Sequence, residues 1–275
     1  MTSASTAFAK ARADGRAALV GYLPAGFPDV DGGIEAMRAM VDGGCDVIEI
    51  GLPYSDPVMD GPTIQAAAQQ ALDGGVRTRD VLRTVEAVAA TGVPTLIMTY
   101  WNPVDSYGGR RSHGQSGVAR FAADLATAGG AGLITPDLTP DSGEDWIAAA
   151  DEHGLDKVFL VAPSSTDERI AMTTAACRGF VYATAVMGVT GAREQTSDLA
   201  GPLVERTKRT TELPVGVGLG VSNGQQAAEV ASYADGVIVG SAFVRVLLDH
   251  ATDRRAGLGA LAALTEDLAD GVRRA

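Results

Sequence analysis

The sequence is short of positive charge. Lysine and arginine together number 22 against 34 aspartates and glutamates, which gives a net charge of −12 and a pI near 4.6. A chain with this balance is not expected to bind DNA, RNA or anionic membrane surfaces nonspecifically. Any negatively charged substrate must therefore be held by local donors that work against the overall field.

Cysteine and histidine are also scarce. The two cysteines, Cys45 and Cys177, are far apart and form no CxxC pair, so neither a disulfide framework nor a thiolate zinc site is indicated. The three histidines form no HxH or HxxxH pair, which disfavours a histidine-ligated metal centre. We therefore expect no metal.

Lysine is equally scarce, with only Lys10, Lys157 and Lys208 in the chain. Lys157 begins a predicted strand and the other two fall outside strands, so a Schiff-base aldolase would lack its nucleophile. The glycines at 216, 218 and 220 have neither the spacing nor the placement of a dinucleotide-binding fingerprint. Carboxylate acid–base chemistry on a phosphate-bearing substrate, without metal or cofactor, is what remains.

Long hydrophobic runs are missing. No apolar stretch reaches the roughly 18 residues that a transmembrane helix requires. Residues 1–16 carry Lys10 and Arg12 with no adjoining apolar run, which indicates a short amphipathic helix and not a signal peptide. We therefore expect a soluble cytoplasmic protein that makes no membrane contact.

What the chain has in quantity is alternation between short apolar runs and helical patterns. Eight apolar runs, most of them continuous as in strands buried on both faces, predict an α/β fold, a (β/α)8 TIM barrel. A doubly wound open sheet is the alternative, and the strand count and the length favour the barrel. No composition break divides the chain, so a single domain with an N-terminal helix is expected over 1–275. The predicted strands are 18–23, 46–51, 95–100, 132–136, 157–161, 179–184, 215–218 and 236–239. The predicted helices are 33–41, 78–90, 119–128, 145–153, 167–176, 225–232 and 258–273.

Three irregular segments follow predicted strands: 51–61, 105–117 and 188–198. Loops that follow the strands of a (β/α)8 barrel form its catalytic face, so we expect all three there. The segment 188–193 has glycines that could act as hinges of a mobile lid, although an ordinary surface loop is an equal alternative.

Acidic residues mark the candidate chemistry. Glu49 lies inside an apolar strand, where burial would raise its pKa and suit it to general acid or base catalysis; the alternative is a buried glutamate paired with an arginine. Asp56 and Asp60 follow in a proline-bounded loop and could complement Glu49, although aspartate is also a common turn residue.

Glycines near the end of the chain mark a candidate anion site. Gly218 and Gly220 leave the seventh predicted strand, while Gly240 and Ser241 open the helix after the eighth. In a barrel these two loops often bind phosphate through backbone N–H groups and a helix N-terminus. The alternative is that the glycines only permit close packing.

These features together resemble the tryptophan synthase alpha chain family over nearly the whole sequence. The most specific segment is 46–57, which reads DVIEIGLPYSDP and is followed by DGP at 60–62. Supporting segments are GYLPAGFP at 21–28, MTYWNP at 98–103, PDL at 136–138, APSS at 162–165 and GVTG at 188–191.

The resemblance implies roles for individual residues. Glu49 and Asp60 match the family's catalytic pair, and Tyr182 matches a substrate-positioning tyrosine. Gly191, Gly220, Gly240 and Ser241 match its phosphate contacts, and Thr190 matches a lid threonine that meets Asp60 on closure. Tyr22, Tyr100 and Trp101 lie near strand ends and could line an apolar slot for indole, although simple packing is as good an explanation.

The resemblance also implies an activity and a partner. The family cleaves indole-3-glycerol phosphate to indole and glyceraldehyde 3-phosphate, and passes indole to a pyridoxal-phosphate beta chain in an alpha2beta2 complex; the alpha chain holds no cofactor. Another phosphate-binding barrel, such as an isomerase or indoleglycerol-phosphate synthase, is one alternative, but the synthase expects a strand-end lysine. A weakly catalytic module that mainly activates the beta chain is the other. Met59, Leu219, Thr139 and Asp141 depart from the usual pattern, the last two on the face that meets the partner.

Overall fold

Strands and helices alternate along the chain in a computed structural model that describes residues 3–108, 116–184 and 199–274. The strands are β1 Ala18–Pro24, β2 Val47–Gly51, β3 Thr95–Met98, β4 Gly132–Ile134, β5 Asp156–Val158, β6 Leu160–Val161, β7 Val181–Thr184, β8 Val215–Gly218 and β9 Gly236–Val239. The helices are α1 Ala4–Ala13, α2 Val30–Asp42, α3 Pro62–Asp73, α4 Thr78–Ala89, α5 Trp101–Asp105, α6 Gly117–Thr127, α7 Glu144–His153, α8 Asp167–Ala176, α9 Ala200–Lys208, α10 Gly224–Ala231, α11 Ser241–Asp249 and α12 Arg254–Arg273.

The strands form one parallel sheet in the order β5-β4-β3-β2-β1-β9-β8-β7-β6. The two outermost strands, β5 and β6, are separated in the chain by Phe159 alone, β5 pairing with β4 and β6 with β7. They are the two halves of the predicted fifth strand, so the sheet closes on itself as an eight-strand barrel. The (β/α)8 prediction is confirmed. The open-sheet alternative is wrong, because the two edge strands of an open sheet lie far apart, whereas β5 and β6 are joined by a single residue.

Helices α3 and α9 were not among the predicted segments. Helix α3 buries Ile64 and three alanines, and α9 buries small and medium side chains, so neither shows a strong apolar stripe in the sequence. The predicted loop 105–117 is shortened at both ends by α5 and α6, and the predicted loop 188–198 lies outside the described residues.

Side chains alternate between two cores, as a barrel strand requires. The inner core fills the barrel with branched and apolar residues: Val20, Val47, Leu96, Ile134, Val158 and Ile238. The outer core, which includes Ile48 and Ile50, packs the strands against the helices. A polar residue on the inward face near the carboxyl ends of the strands therefore points into the mouth of the barrel.

Helix α1 lies against the amino-terminal end of the barrel. Phe8 stacks on Phe180 with ring centroids 5.1 Å apart, and both belong to the inner core. The N–H of Ala4 donates to the buried carboxylate of Asp156 at 2.7 Å, which fixes the start of α1 to the start of β5. Because this end is filled, a pocket in the barrel lies at the opposite, carboxyl-terminal end. Within the described ranges, no helix is long and apolar enough to cross a bilayer.

Candidate active site

A pocket at the carboxyl ends of the strands collects most of the residues singled out from the sequence. Of the thirteen candidate residues, Thr190 and Gly191 lie outside the described residues, and nine line this pocket: Tyr22, Glu49, Asp60, Tyr100, Tyr182, Gly218, Gly220, Gly240 and Ser241. Four of the nine belong to strands: Tyr22 to β1, Glu49 to β2, Tyr182 to β7 and Gly218 to β8. Ser241 begins α11, and the remaining four residues lie in the loops that follow β2, β3, β8 and β9. The barrel thus brings together side chains that are up to about two hundred residues apart in the chain.

Glu49 lies on the inward face of β2 and is 1% exposed. Neither of its carboxyl oxygens has a hydrogen-bond partner among the described residues, so the alternative of a glutamate paired with an arginine finds no support there. Burial penalises the charged form and raises the pKa of Glu49 to about 8. At neutral pH the carboxyl group is therefore predominantly protonated and can act as an acid.

Asp60 lies in the loop between β2 and α3 and is partly exposed. Burial raises its pKa, and a hydrogen bond from the Tyr100 hydroxyl acts in the opposite direction. The same hydroxyl accepts a hydrogen bond from the N–H of Met59 at 2.9 Å, which ties the loop to the end of β3. Asp60 is thus placed over the pocket by a contact to its neighbour in the chain and by its own hydrogen bond to Tyr100.

Two tyrosines from opposite sides of the barrel face Glu49. Tyr22 is the register partner of Glu49 on the neighbouring strand β1, and Tyr182 projects inward from β7. Burial is the largest cause that raises the pKa of both phenols well above the ordinary value, and the charge of Glu49 adds to it. A side-chain carbon at Gly218 would collide with the hydroxyl of Tyr182, so a glycine there makes room for that ring.

The rim formed by the residues that follow β8 and β9 presents backbone donors. Gly220 has a φ of +86°, a left-handed conformation that favours glycine. Helix α11 begins at Ser241, and no side chain caps it at Gly240. Its first N–H groups therefore have no intrahelical acceptor and lie at the positive end of the helix dipole. This rim can hold an anion without a cationic side chain, and no lysine or arginine is among the described residues that line the pocket.

Apart from Thr99 and Thr184, the rest of the pocket wall is apolar. The apolar part is formed by Leu52, Met59, Ile64, Met98, Pro136, Leu160, Leu219 and Ile238. These residues cannot be recognised in the sequence as indole contacts, because an apolar side chain at a strand end has the same sequence pattern as a core residue. These apolar side chains line the same pocket as Glu49 and Asp60.

Two residues considered from the sequence lie elsewhere. Trp101 does not line the pocket but begins α5. Its backbone N–H donates to both carboxylate oxygens of Asp137, at 2.9 and 3.1 Å. Asp56 is exposed and does not line the pocket. In the described ranges, no group of three or more histidine, cysteine, aspartate or glutamate side chains could hold a metal ion.

The fold and this pocket define a class of protein: a (β/α)8-barrel enzyme whose mouth combines two carboxyl groups with a rim of backbone N–H donors. Comparison with known proteins makes the assignment more specific. The family model described as tryptophan synthase alpha chain matches residues 8–273. The chain is 62% identical over 274 residues to the tryptophan synthase alpha chain of Acidothermus cellulolyticus, which covers 100% of this chain and 98% of the relative. It is 63% identical over 273 residues to that of Salinispora arenicola, with 99% and 98% covered.

Solved structures agree. A structure of Mycobacterium tuberculosis tryptophan synthase superposes with a TM-score of 0.89 at 56% identity, covering 98% of each chain. The tryptophan synthase alpha subunit of Legionella pneumophila superposes with a TM-score of 0.87 at 28% identity, covering 99% of each chain. The chain belongs to the tryptophan synthase alpha chain family. It is accordingly a carbon–carbon lyase subunit of tryptophan biosynthesis, and the reaction of its family is the cleavage of indole-3-glycerol phosphate.

Proposed function

We propose that Glu49 and Asp60 carry out the cleavage in this chain, with the indole ring in the apolar slot and the phosphate on the rim of backbone donors. The observation that supports this most is the carboxyl group of Glu49, which is buried without a described partner and has a pKa of about 8. A group with this pKa can both give and take a proton near neutral pH.

The retro-aldol cleavage needs a proton on indole C3 before the bond to the glycerol chain breaks. Protonated Glu49 donates it, and positive charge then develops at the indole nitrogen. Ionised Asp60 stabilises that charge, and the Tyr100 hydroxyl helps to keep Asp60 ionised. If the indole nitrogen gives its proton to Asp60, Asp60 returns that proton to the nitrogen when the indole product forms.

The Glu49 carboxylate left by the first step is the base for the second. It takes the proton of the glycerol hydroxyl whose oxygen becomes the aldehyde, while the electrons of the breaking carbon–carbon bond restore the indole ring. Glu49 ends in its starting protonation state, and the products are indole and glyceraldehyde 3-phosphate. Both steps use one carboxyl group on a rigid strand, β2, which keeps it in reach of both atoms.

The phosphate group is proposed to lie against the backbone of Gly220, Gly240 and Ser241. Its two negative charges would be stabilised by the N–H groups at the start of α11. A neutral Glu49 avoids placing another negative charge in the same pocket, which favours binding of a dianion. Leu219 lies between Gly218 and Gly220 in the chain and lines the pocket.

A beta chain is the proposed partner that receives the indole, in an alpha2beta2 complex. The family to which the chain belongs supports this partner. Val58, which is 73% exposed in the loop that carries Asp60, lies on the surface where we propose that the beta chain makes contact. Asp56, two residues earlier, adds an exposed charge to the same surface.

The direct test is indole release from indole-3-glycerol phosphate by the purified chain, with and without beta chain. We expect E49Q and D60N each to lower kcat by two or more orders of magnitude, since each removes a proton-transfer or charge-stabilising group. D56N is the matched control, because it neutralises an exposed aspartate of the same loop and should retain turnover in the absence of beta chain.

Three outcomes separate the alternatives. Indole from the wild type alone supports a competent lyase, and indole only with beta chain supports a partner-dependent one. No indole in either condition, with the beta chain still stimulated, would favour a module that mainly activates its partner. Near-normal turnover by a folded E49Q variant would refute the assignment of Glu49.

A further inference from the structure

The loop between β2 and α3 is held near Asp60 by the hydroxyl of Tyr100, which follows β3. This hydroxyl accepts a hydrogen bond from the Met59 N–H at 2.9 Å and donates one to the Asp60 carboxylate. A single phenol oxygen therefore fixes both the backbone of the loop and its carboxyl group. The contacts that hold the Tyr100 ring consequently decide the geometry at Asp60.

Tyr54, from the start of the same loop, packs against that ring. The ring centroids of Tyr54 and Tyr100 lie 5.4 Å apart, and the two planes are tilted by 37°. This separation lies within the range of favourable aromatic pairs. Tyr54 is half-buried and does not line the pocket, so it can act on the reaction only through its neighbours.

The hydroxyl of Tyr54 is fixed in turn. The side-chain amide of Asn102, in α5, donates a hydrogen bond to it at 3.2 Å. Helix α5 is itself held at its first residue, where the Trp101 N–H donates to the carboxylate of Asp137 in the loop after β4. A continuous series of contacts therefore leads from the loop after β4 to the hydroxyl of Tyr54.

We propose that Tyr54 is a positioning residue: with Asn102 it holds the Tyr100 ring where its hydroxyl bridges the loop backbone and the Asp60 carboxylate. The tip of the loop offers little packing that could do this instead, because Val58 is 73% exposed. Without the Tyr54 ring, Tyr100 gains freedom, and the hydrogen bond that stabilises ionised Asp60 forms less often. The catalytic consequence rests on the proposed function, whereas the series of contacts does not.

The other titratable side chains of the pocket belong to barrel strands and not to this loop. They are Glu49 on β2, Tyr22 on β1 and Tyr182 on β7. No lysine or arginine lines the described part of the pocket. A change in the Asp60 titration on replacing Tyr54 therefore reports the Tyr100 hydrogen bond and not the loss of a charge.

An NMR titration of Asp60 tests the proposal. In protein carrying 13C-labelled aspartate carboxyl groups, the Asp60 resonance is assigned by its absence in D60N. We expect Y54A to raise the Asp60 pKa by about half a unit and Y100F by about one unit, because the donor to the charged form is loosened in the first variant and lost in the second. Y107F is the matched control: it removes a tyrosine hydroxyl that donates to Asp124 outside the pocket, and should leave the Asp60 pKa unchanged.

A double variant separates positioning from a general loosening of the loop. Because Tyr54 acts through the Tyr100 hydroxyl, Y54A should add no further shift in protein that already carries Y100F. A shift of equal size in both backgrounds would overturn the proposal, and so would the absence of a shift in Y54A alone. Y54L, which keeps an apolar side chain but no ring, replaces Y54A with the same expectations if the alanine variant does not fold.

Kinetics without beta chain measure the catalytic consequence. We expect Y54A to lower kcat for indole release several-fold with little change in KM, because Asp60 stabilises charge that develops in the transition state. The acidic limb of kcat/KM should move to higher pH by about the same half unit. If the wild type releases no indole, the proposed function fails, and the NMR titration still decides the role of Tyr54.

Discussion

At the residue scale, burying Glu49 lowers stability, and the same burial gives it the pKa that its proposed function needs. A carboxyl group that is buried without a partner stays protonated when the protein is folded, whereas in the unfolded chain it ionises near its ordinary pKa. The folded state therefore binds one more proton than the unfolded state between these two pKa values. Stability and catalysis act against each other at this residue.

The stability of the protein should consequently fall as the pH rises from about 4.5 to about 8. In this window the unfolded state has lost the Glu49 proton and the folded state has kept it, so each pH unit lowers the free energy of unfolding by up to about 1.4 kcal/mol. The loss is complete above the folded-state pKa. Urea unfolding at pH 5.5 and pH 9 measures it, and E49Q should lose less stability over that range than the wild type.

The comparison between the two proteins isolates this one group, since all other carboxyl groups are shared. Equal loss of stability by the wild type and E49Q would mean that Glu49 is ionised in the folded state at neutral pH.

At the scale of secondary-structure elements, α1 acts as the floor of the barrel. Its start is fixed by Asp156, which accepts hydrogen bonds from the Ser3 hydroxyl at 2.9 Å and from the Ala4 N–H at 2.7 Å. Its middle is fixed by Phe8, which is 3% exposed and stacks on Phe180. The helix thereby fills the inner core at the end opposite the pocket.

Replacing Phe8 by alanine should destabilise the protein by about 3–4 kcal/mol, because it removes a buried ring and leaves a cavity that the barrel strands cannot close. F8L, which keeps most of the volume, should cost about 1 kcal/mol. Urea unfolding at a single pH gives both values. The kcat for indole release by the fraction that remains folded should be close to that of the wild type, since Phe8 lies at the other end of the barrel. A parallel fall in kcat would show that α1 also shapes the pocket.

At the scale of the whole molecule, the net charge of −12 opposes the approach of a phosphorylated substrate. No lysine or arginine lines the described part of the pocket to offset it, and the anion rim acts only at short range. Long-range repulsion and short-range attraction are thus separated in space, and salt screens the first more strongly than the second.

We therefore expect kcat/KM for indole-3-glycerol phosphate to rise about two-fold to three-fold when KCl is raised from about 20 to about 200 mM, through a lower KM. Chloride is chosen because phosphate and sulfate would compete at the rim. A series at constant ionic strength with added sucrose controls for changes in the solvent. A kcat/KM that falls with KCl would show that attraction extends beyond the pocket.

Individual residues show what could be predicted from the sequence. Glu49 is visible because a carboxylate in an apolar strand is costly, and the glycine pairs are visible because they follow two particular strands. The position of the Tyr22 ring could not be predicted in this way, since it depends on a strand pairing and on Gly51 and Gly240 leaving space. The apolar slot was missed because its residues look like ordinary core. The roles of Thr190 and Gly191, and one domain over 1–275, stay predictions.

The sequence by itself determined the barrel, the amino-acid chemistry available and the two carboxyl groups proposed for catalysis, because strand periodicity and the cost of buried charge are local properties of the chain. The tertiary structure alone decided that β5 and β6 close the sheet on either side of Phe159, that α1 fills one end, and that Tyr22, Tyr100 and Tyr182 surround the two acids. These features depend on contacts between residues far apart in the chain. Such contacts determine how far the carboxyl groups of Glu49 and Asp60 are removed from water and whether they find a hydrogen-bond partner, and these two factors set the pKa of each.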